Sequence, residues 1–187
     1  PTQGNKSNRM QVGILFIVVL ALVATLQSWA QANMVNLIPK YIKDLGQGAT
    51  IYGSMAGLFM GGSALGNVLG GYFGDRYPKR YVAATVLFLA AIPIYIASLI
   101  GWSWWLFILV PMAGAFTGAV HSIMVVLSQR IIPGGMALAS GLALGFIFSS
   151  GALGLLFTGY LAEVYGFPFV LTMTTGMVIL ASPLALL

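Results

Sequence analysis

The chain has 187 residues, of which 59% are hydrophobic and only 6% are charged, and its mean hydropathy is +0.98. Soluble domains carry about 25% charged residues, so this composition excludes a water-soluble globular protein and indicates an integral membrane protein surrounded by lipid. The net charge of +5 lies at the ends of apolar runs, which favours a role in membrane orientation over a nucleic-acid partner. There is no cysteine, which excludes disulfides and thiol chemistry.

Residues 1–10 form a polar lead-in or linker, predicted to be cytoplasmic, and residues 11–187 form one transmembrane bundle. Its apolar spans run from about 11 to 37, 50 to 74, 81 to 100, 104 to 128, 136 to 162 and 167 to 187. Each is near the roughly 17–25 residues that a membrane-crossing helix needs, and the runs are continuous, unlike barrel strands. The boundaries are marked by Pro39 with Gly46, Pro78, Gly101, Pro133 with Gly134, and Gly166 with Pro168. The sequence therefore predicts an all-α protein with six transmembrane helices.

The basic residues predict the orientation of these helices. With a cytoplasmic amino terminus, the inner side receives Lys6, Arg9, Arg76, Lys79, Arg80 and Arg130, and the outer side receives Lys40 and Lys43. The positive-inside rule favours this arrangement, with both termini cytoplasmic. No secretory signal peptide is visible, because the first span is too long and lacks a cleavage site. We expect a multi-pass protein of the plasma membrane, or of the inner membrane in a bacterium.

An internal repeat relates the second span to the fifth. When residues 53–78 are set against 141–166, eight of 26 positions are identical, and Asp75 aligns with Glu163. The offset of 88 residues covers three helices, so the second copy must cross the membrane in the opposite direction. This predicts an inverted 3+3 repeat, which is typical of secondary transporters. The acid is kept in the second copy, whereas the aligned bases are lost.

Glycines spaced four apart predict where helices approach closely. The second span carries two such series, Gly53 to Gly61 and Gly62 to Gly74, and the fifth carries Gly141 with Gly145, followed by Gly151 and Gly154, which are three apart. Small residues at this spacing let two backbones pack together in lipid. Static packing and sliding faces during a transport cycle are both compatible with the pattern.

The stretch from Gly71 to Arg80 carries a family resemblance. Its sequence GYFGDRYPKR resembles the G-x-x-x-D-R-x-G-R-R signature of the major facilitator superfamily, with Pro78 in place of the second glycine and Lys79 in place of an arginine. The tract from Ala119 to Phe167 resembles the carboxyl-terminal half of fosmidomycin-resistance-like efflux transporters in that superfamily. The signature covers ten residues, and it falls after the second span on the basic side, as in the family.

The resemblance implies a transporter of twelve helices in two halves that rock about a central cavity, of which this sequence supplies one half. A second half would come from the same chain, a homodimer or a separate subunit. In the family, the motif's aspartate contacts the amino terminus of a helix in the opposite half, and its bases complete a cytoplasmic latch. Carried over, this latch comprises Gly71, Asp75, Arg76, Lys79 and Arg80, with Arg76 and Arg80 organising Asp75. A plain topology anchor would explain the bases but not Asp75.

Polar residues inside the spans are candidates for a substrate cavity, because unpaired polar groups are costly in hydrocarbon. They are Gln27, Gln31, Asn67 and His121. Gln27 and Gln31 share one helix face, and Asn67 shares a face with Ser63. His121 lies nine residues before Arg130, about 13 Å deep. Each has an alternative interpretation as a hydrogen-bonded packing residue, and for His121 the alternatives are a neutral interhelical histidine and a proton-relay group.

Several kinds of chemistry have no signature in the sequence. Asp44, Asp75 and Glu163 all lie at span ends, and we find no phosphate-binding loop, metal-ligand cluster or nucleophile–base pair. We therefore expect no enzyme activity, no cofactor and no metal. The first hypothesis is half of a secondary transporter that exports small organic or drug-like solutes as an efflux antiporter. The alternative is a non-transporting, facilitator-derived accessory or structural subunit of a larger membrane complex.

Overall fold

The structure is a computed structural model that describes residues 3–131 and 135–187, with side chains described for 15–129 and 135–187. Its helices are α1 (Gln3–Asp44), α2 (Ala49–Arg76), α3 (Lys79–Ile100), α4 (Leu106–Ile131), α5 (Met136–Tyr165) and α6 (Phe167–Leu184). No strand occurs within these residues, so the all-α fold is confirmed. The lead-in predicted for residues 1–10 is helical from Gln3 onward.

Five of these six helices are long and apolar enough to cross a membrane. The exception within the described part of the chain is α2, although its 28 residues carry no charge before Asp75. Eight of those residues are glycines, which contribute length without hydrophobicity. The same glycines that allow close packing therefore weaken the hydropathy of this helix.

Three glycines lie at helix ends as the sequence predicts, whereas one proline that was predicted to mark a helix end does not. Gly46, Gly101 and Gly166 each adopt a positive φ directly after or between helices, as terminating glycines do. Pro39 does not end α1, which continues to Asp44. Ile38 and Ile42 are buried in the core on either side of this proline, and their packing maintains the helix although Pro39 cannot donate a backbone hydrogen bond. Pro133 and Gly134 lie outside the described residues.

The helices form one bundle in which α1 contacts α2, α4, α5 and α6. α3 packs between α4 and α6 on the far side, and α2 packs most extensively against α4. The starts of α1 and α3 and the ends of α4 and α6 line one shared cavity, so these termini lie at the same end of the bundle. We call it the Asp75 end, and the opposite one the Glu163 end.

Glycines explain the close contact of α2 with α4. A β-carbon added to Gly62, Gly66 or Gly70 would overlap the backbone of α4, at Pro111, Ala115 and Ala119 respectively. Gly114 and Gly118 of α4 face the backbone of Phe59 and Ser63 in return. One predicted glycine series is therefore a backbone contact. The other, Gly53, Gly57 and Gly61, has open space where side chains would be.

Candidate functional site

A cavity of about 490 Å³ lies near the middle of the bundle, between α1, α2, α4 and α5. Three of the four residues predicted for a substrate cavity line it, namely Gln31, Asn67 and His121. The remaining wall is mainly apolar, with Met60, Phe148 and Leu155 among its larger side chains. Sequence spacing placed these polar residues on helix faces, and the packing of four helices brings the faces together.

Gln27, the fourth predicted residue, is completely buried behind this cavity. Its Nε2 donates to the backbone oxygen of Thr117 on α4 at 3.0 Å and to Oε1 of Gln31 at 3.1 Å. Its own Oε1 is buried and has no hydrogen-bond partner among the described residues. Gln27 therefore ties α1 to α4 and fixes one side of the Gln31 amide.

The polar chain continues from α1 to α2. Nε2 of Gln31 donates to Oγ of Ser63 at 2.9 Å, and Nδ2 of Asn67 donates to the backbone oxygen of Ser63 at 3.0 Å. We name Gln27, Gln31, Ser63, Asn67 and His121 the Gln31 cluster. Gln27, Gln31, Ser63 and Asn67 form one hydrogen-bonded path on α1 and α2, and Gln27 extends it to α4 through the backbone oxygen of Thr117.

His121 reaches the same cavity from α4. Its Nδ1 is buried with no partner, and the described hydrogen bonds include none to its imidazole. Its ring lies tilted against Phe148 on α5, with centroids 6.1 Å apart. A histidine that is hydrogen-bonded between helices needs such a partner, and His121 has none within the described residues.

A second cavity of about 420 Å³ adjoins the first toward the Asp75 end, between α1, α4 and α5. Its walls are apolar side chains and one hydroxyl, from Ser128. Ile147 of α5 lines both cavities, and its backbone oxygen accepts a hydrogen bond from Ser28 of α1. The interior thus offers a polar compartment and an apolar one side by side.

At the Asp75 end, α2 and α3 are joined by only Tyr77 and Pro78. Lys79 donates through Nζ to the backbone oxygen of Gly74 at 2.5 Å and contacts Oδ1 of Asp75 at 3.3 Å. Asp75 nevertheless keeps 81% of its side chain exposed. The Asp75 carboxylate can therefore still accept hydrogen bonds from outside this chain.

The two arginines of the predicted latch lie over aromatic rings and do not contact Asp75. Arg76 stacks on Tyr72 at 4.2 Å from its centroid, and Arg80 lies 5.0 Å from that of Tyr81. The resemblance assigned the organising role to Arg76 and Arg80, whereas the base in contact with Asp75 is Lys79. Gly71 has open space where a side chain would be.

At the Glu163 end, the acid that aligns with Asp75 has a base from a different helix. Oε1 of Glu163 on α5 lies 3.7 Å from Nζ of Lys40 on α1, and Lys40 also lies 5.6 Å from the centroid of Phe167. The sequence indicated that this copy had lost its bases. It gave no signal that α1 would supply one, because that depends on how the helices pack.

A buried cluster joins α1, α5 and α6 between the cavity and the Glu163 end. Asn33 accepts a hydrogen bond from Oγ1 of Thr158 at 2.5 Å and donates through Nδ2 to Oγ1 of Thr174 at 2.9 Å. All three residues are completely buried, and Trp29 donates to Thr158 at 3.4 Å. We name these four residues the Asn33 cluster. This cluster was not identified from the sequence, because threonines inside apolar helices carry no spacing signal.

Within the described residues, no three histidine or acidic side chains lie together as metal ligands would. The polar groups of the cavity are amides, the hydroxyls of Ser28 and Ser63, and an imidazole, which can bind a solute through hydrogen bonds.

Comparison with known proteins agrees with this arrangement. The profile of the Major Facilitator Superfamily matches residues 17–187. The chain is 32% identical over 108 residues to a fosmidomycin resistance protein of Escherichia coli (strain K12), covering 56% of this chain and 26% of that protein. It is 31% identical over 103 residues to the uncharacterized MFS-type transporter YfnC of Bacillus subtilis (strain 168), covering 55% and 25% respectively.

The aligned segments thus span about a quarter of each relative, 26% and 25%. The family match covers far more than half of this chain and includes the cavity and the Asp75 end. It identifies a transporter family rather than an enzyme family, and the apolar helices identify a multi-pass membrane protein. The chain belongs to the major facilitator superfamily.

Proposed function

We propose that this chain is one half of a secondary active transporter that exports small organic solutes by alternating access together with a second six-helix half. The observation that carries the proposal is the mid-bundle cavity lined by Gln31, Asn67 and His121 within a transmembrane fold. Polar groups are costly at that depth unless they serve binding or packing. Similarity to a protein named for fosmidomycin resistance supports export of drug-like molecules.

A second half is proposed because this chain leaves binding groups unused at the Asp75 end. Asp75 is largely exposed, and Gly71, one helical turn away, faces open space. A carboxylate is stabilised by the amino terminus of a helix, which carries about half a positive charge. We infer that such a helix end from the second half approaches Asp75, with Gly71 allowing close contact.

The packing of the helices supports an inverted 3+3 arrangement of the chain. α2 packs on α4 as α5 packs on α1, and α1 contacts α6 as α4 contacts α3. The aligned glycines Gly66 and Gly154 each lie against the other repeat's first helix, at Ala115 and Trp29. Inverted repeats place the substrate site at their interface near the membrane midplane. The cavity lies at the corresponding place here.

The proposed orientation places the Asp75 end in the cytoplasm of the cell, with the protein in the plasma membrane. Arg76, Lys79 and Arg80 lie at this end, whereas Lys40 and Lys43 lie at the Glu163 end. The predicted contributions of Lys6, Arg9 and Arg130 fall where side chains are not described. The excess of bases at the Asp75 end favours the cytoplasmic side.

One observation favours a second candidate function, a non-transporting subunit of a larger membrane complex. Among the described residues that line the cavity, none is a carboxylate that could carry a coupling proton. His121 is the ionisable side chain there, so proton coupling in this half would depend on it. Native mass spectrometry distinguishes the two functions: a second six-helix half or a homodimer supports transport, and a stoichiometric unrelated complex supports the accessory role.

The proposed latch is tested by labelling single cysteines, which are unique because the chain has none. Ala143→Cys reports on the cavity toward the Asp75 end, and Ala32→Cys reports on the other cavity. We expect Asp75→Asn to change the ratio of the two labelling rates several-fold, because loss of the carboxylate charge weakens the closed latch. Asp44→Asn, an exposed acid at the opposite end, is the matched control. An unchanged ratio in Asp75→Asn would contradict the latch.

A further inference from the structure

The hydrogen bonds of Gln27 give it a role distinct from that of the cavity-lining residues. It is completely buried and does not line the cavity. Its Nε2 donates one proton to the backbone oxygen of Thr117 and the other to Oε1 of Gln31. Because both of those partners are acceptors, the orientation of the Gln27 amide is fixed. Gln27 in turn fixes Gln31, whose Oε1 is occupied and whose Nε2 must therefore turn toward Ser63.

This geometry leaves unused donors at the cavity. An amide nitrogen has two protons, and in Gln31 and Asn67 one of them is bound within the protein, to Ser63 Oγ and the Ser63 backbone oxygen. The second proton of each amide is free for a solute. The Oγ of Ser63 accepts from Gln31, which leaves its own proton available as a third donor. These three donors lie on α1 and α2, and Asn36 of α1, which also lines the cavity and bonds through Nδ2 to Ala32 of its own helix, supplies a fourth.

The charge of the cavity wall limits the solute further. None of the described lining residues is an aspartate, glutamate, lysine or arginine. A cation entering this compartment would lose water without meeting a carboxylate, which is strongly unfavourable at this depth. The adjoining apolar cavity, reached past Ile147, suits a hydrocarbon body.

We propose that this half selects amphipathic solutes whose polar head carries a hydrogen-bond acceptor, that it disfavours cations, and that Gln27 is a positioning residue acting through Gln31. The head would bind the free protons of Gln31, Asn67 and Ser63, and the body would lie against Phe146 and Leu142. This inference rests on the proposed transport function, because it concerns the solute that the same cavity holds.

Three naphthalene probes of similar shape test the selectivity. Acetylnaphthalene carries an acceptor, ethylnaphthalene carries none, and naphthylmethylammonium carries a positive charge. Their binding is measured by naphthalene fluorescence with the whole membrane assembly that contains this chain, reconstituted in nanodiscs. We expect acetylnaphthalene to bind about tenfold more tightly than ethylnaphthalene, the ratio for roughly one buried hydrogen bond. The ammonium probe should bind more weakly than either.

Equal binding of the acetyl and ethyl probes, or tightest binding of the ammonium, would overturn the selectivity. Saturable binding would then still agree with the proposed function. Failure of all three probes to bind would count against the cavity itself, and so against both proposals. A transport assay with the same probes separates binding from export, since it reports on the proposed function alone.

The positioning role of Gln27 is tested with a double-mutant cycle. Gln31→Met should reduce the preference for the acetyl probe several-fold, since the donors of Asn67 and Ser63 remain, and Gln27→Met should reduce it by a smaller factor while ethylnaphthalene binds as before. If Gln27 acts through Gln31, the double variant should equal Gln31→Met alone. Additive losses, or equal weakening of both probes by Gln27→Met, would indicate a purely structural residue and overturn the assignment. If Gln27→Met fails to fold, Asn67→Leu tests the same set of donors. The hydrogen bond that this substitution removes joins Asn67 to Ser63 of the same helix.

Discussion

Helix α1 carries two polar clusters that differ in how completely their hydrogen bonds are made. In the Asn33 cluster the amide of Asn33 has partners for both its nitrogen and its oxygen, and Thr174, which accepts from Asn33, donates its own proton to the backbone oxygen of Val170. In the Gln31 cluster, Gln27 Oε1 and His121 Nδ1 are buried without partners. A completed network stabilises a membrane bundle, whereas an incomplete one is costly and persists where a ligand or solvent completes it. We therefore interpret the first cluster as structural and propose the second as a site.

The largest effect should come from separating α2 from α4, which removes the frame of the Gln31 cluster. A leucine at Gly66 would overlap the backbone of Ala115, so the two helices could not pack. We expect Gly66→Leu to abolish accumulation of folded protein in the membrane, since overpacking against backbone has no side chain to displace. Size-exclusion profiles in mild detergent measure this.

Gly57→Leu is the matched control for that substitution, because Gly57 lies on the same helix with nothing within contact distance. It should yield folded protein with an unchanged profile. Equal loss in both variants would show that α2 tolerates no added side chains for a reason other than its contact with α4.

The contrast between the two glycine series shows what could be predicted from the sequence. Composition and span length were sufficient for an all-α membrane fold, and spacing was sufficient to group Gly62, Gly66 and Gly70 on one face. Which series meets another helix depends on the rotation of α2 in the bundle. That rotation is set by α4, through Gly114 and Gly118. The spacing of glycines along α2 cannot predict this rotation.

The site residues divide in the same way. Gln31, Asn67 and His121 were identified from their depth alone, because polar groups in apolar helices are rare enough to be informative. The burial of Gln27 behind the cavity, the contact of Lys79 with Asp75, and the pairing of Lys40 with Glu163 were not predicted. Each depends on a contact between side chains whose direction only the packed bundle defines.

Breaking the Asn33 cluster should reduce stability without changing solute selectivity. Asn33→Leu removes two interhelical hydrogen bonds, each worth about 1 kcal/mol in a membrane protein, so a loss of about 2 kcal/mol is expected. Thermal unfolding in detergent measures it. Asn36→Leu, one turn along the same helix, is the control for stability alone, because the hydrogen bond described for Asn36 goes to Ala32 of its own helix while its side chain lines the cavity. A large change in probe selectivity with Asn33→Leu would contradict the division between the clusters.

Changing the Gln31 cluster should have the opposite effect, because solute export should fall while stability is kept. His121→Leu removes a buried nitrogen that has no partner, so the folded protein should be unchanged or up to about 1 kcal/mol more stable. Solute export should fall, because the cavity loses a polar group. Thermal unfolding and export are measured on the same preparation. A marked loss of stability would show that His121 is a structural histidine.

The smallest effect should come from the ion pair at the Glu163 end, which joins α1 and α5, two of the three helices that the Asn33 cluster joins. Lys40 and Glu163 keep 47% and 70% of their side chains exposed, and exposed pairs contribute at most about 1 kcal/mol. We expect Glu163→Gln to lower the unfolding temperature by only a small fraction of the decrease that Asn33→Leu causes. High salt should remove the difference from the parent protein, since it screens exposed charges. Lys40→Met should have the same small effect, and Lys43→Met, which removes the same charge from the next turn of α1, is its control. A loss as large as that of Asn33→Leu would mean that the surface pair, rather than the buried cluster, holds α5 against α1.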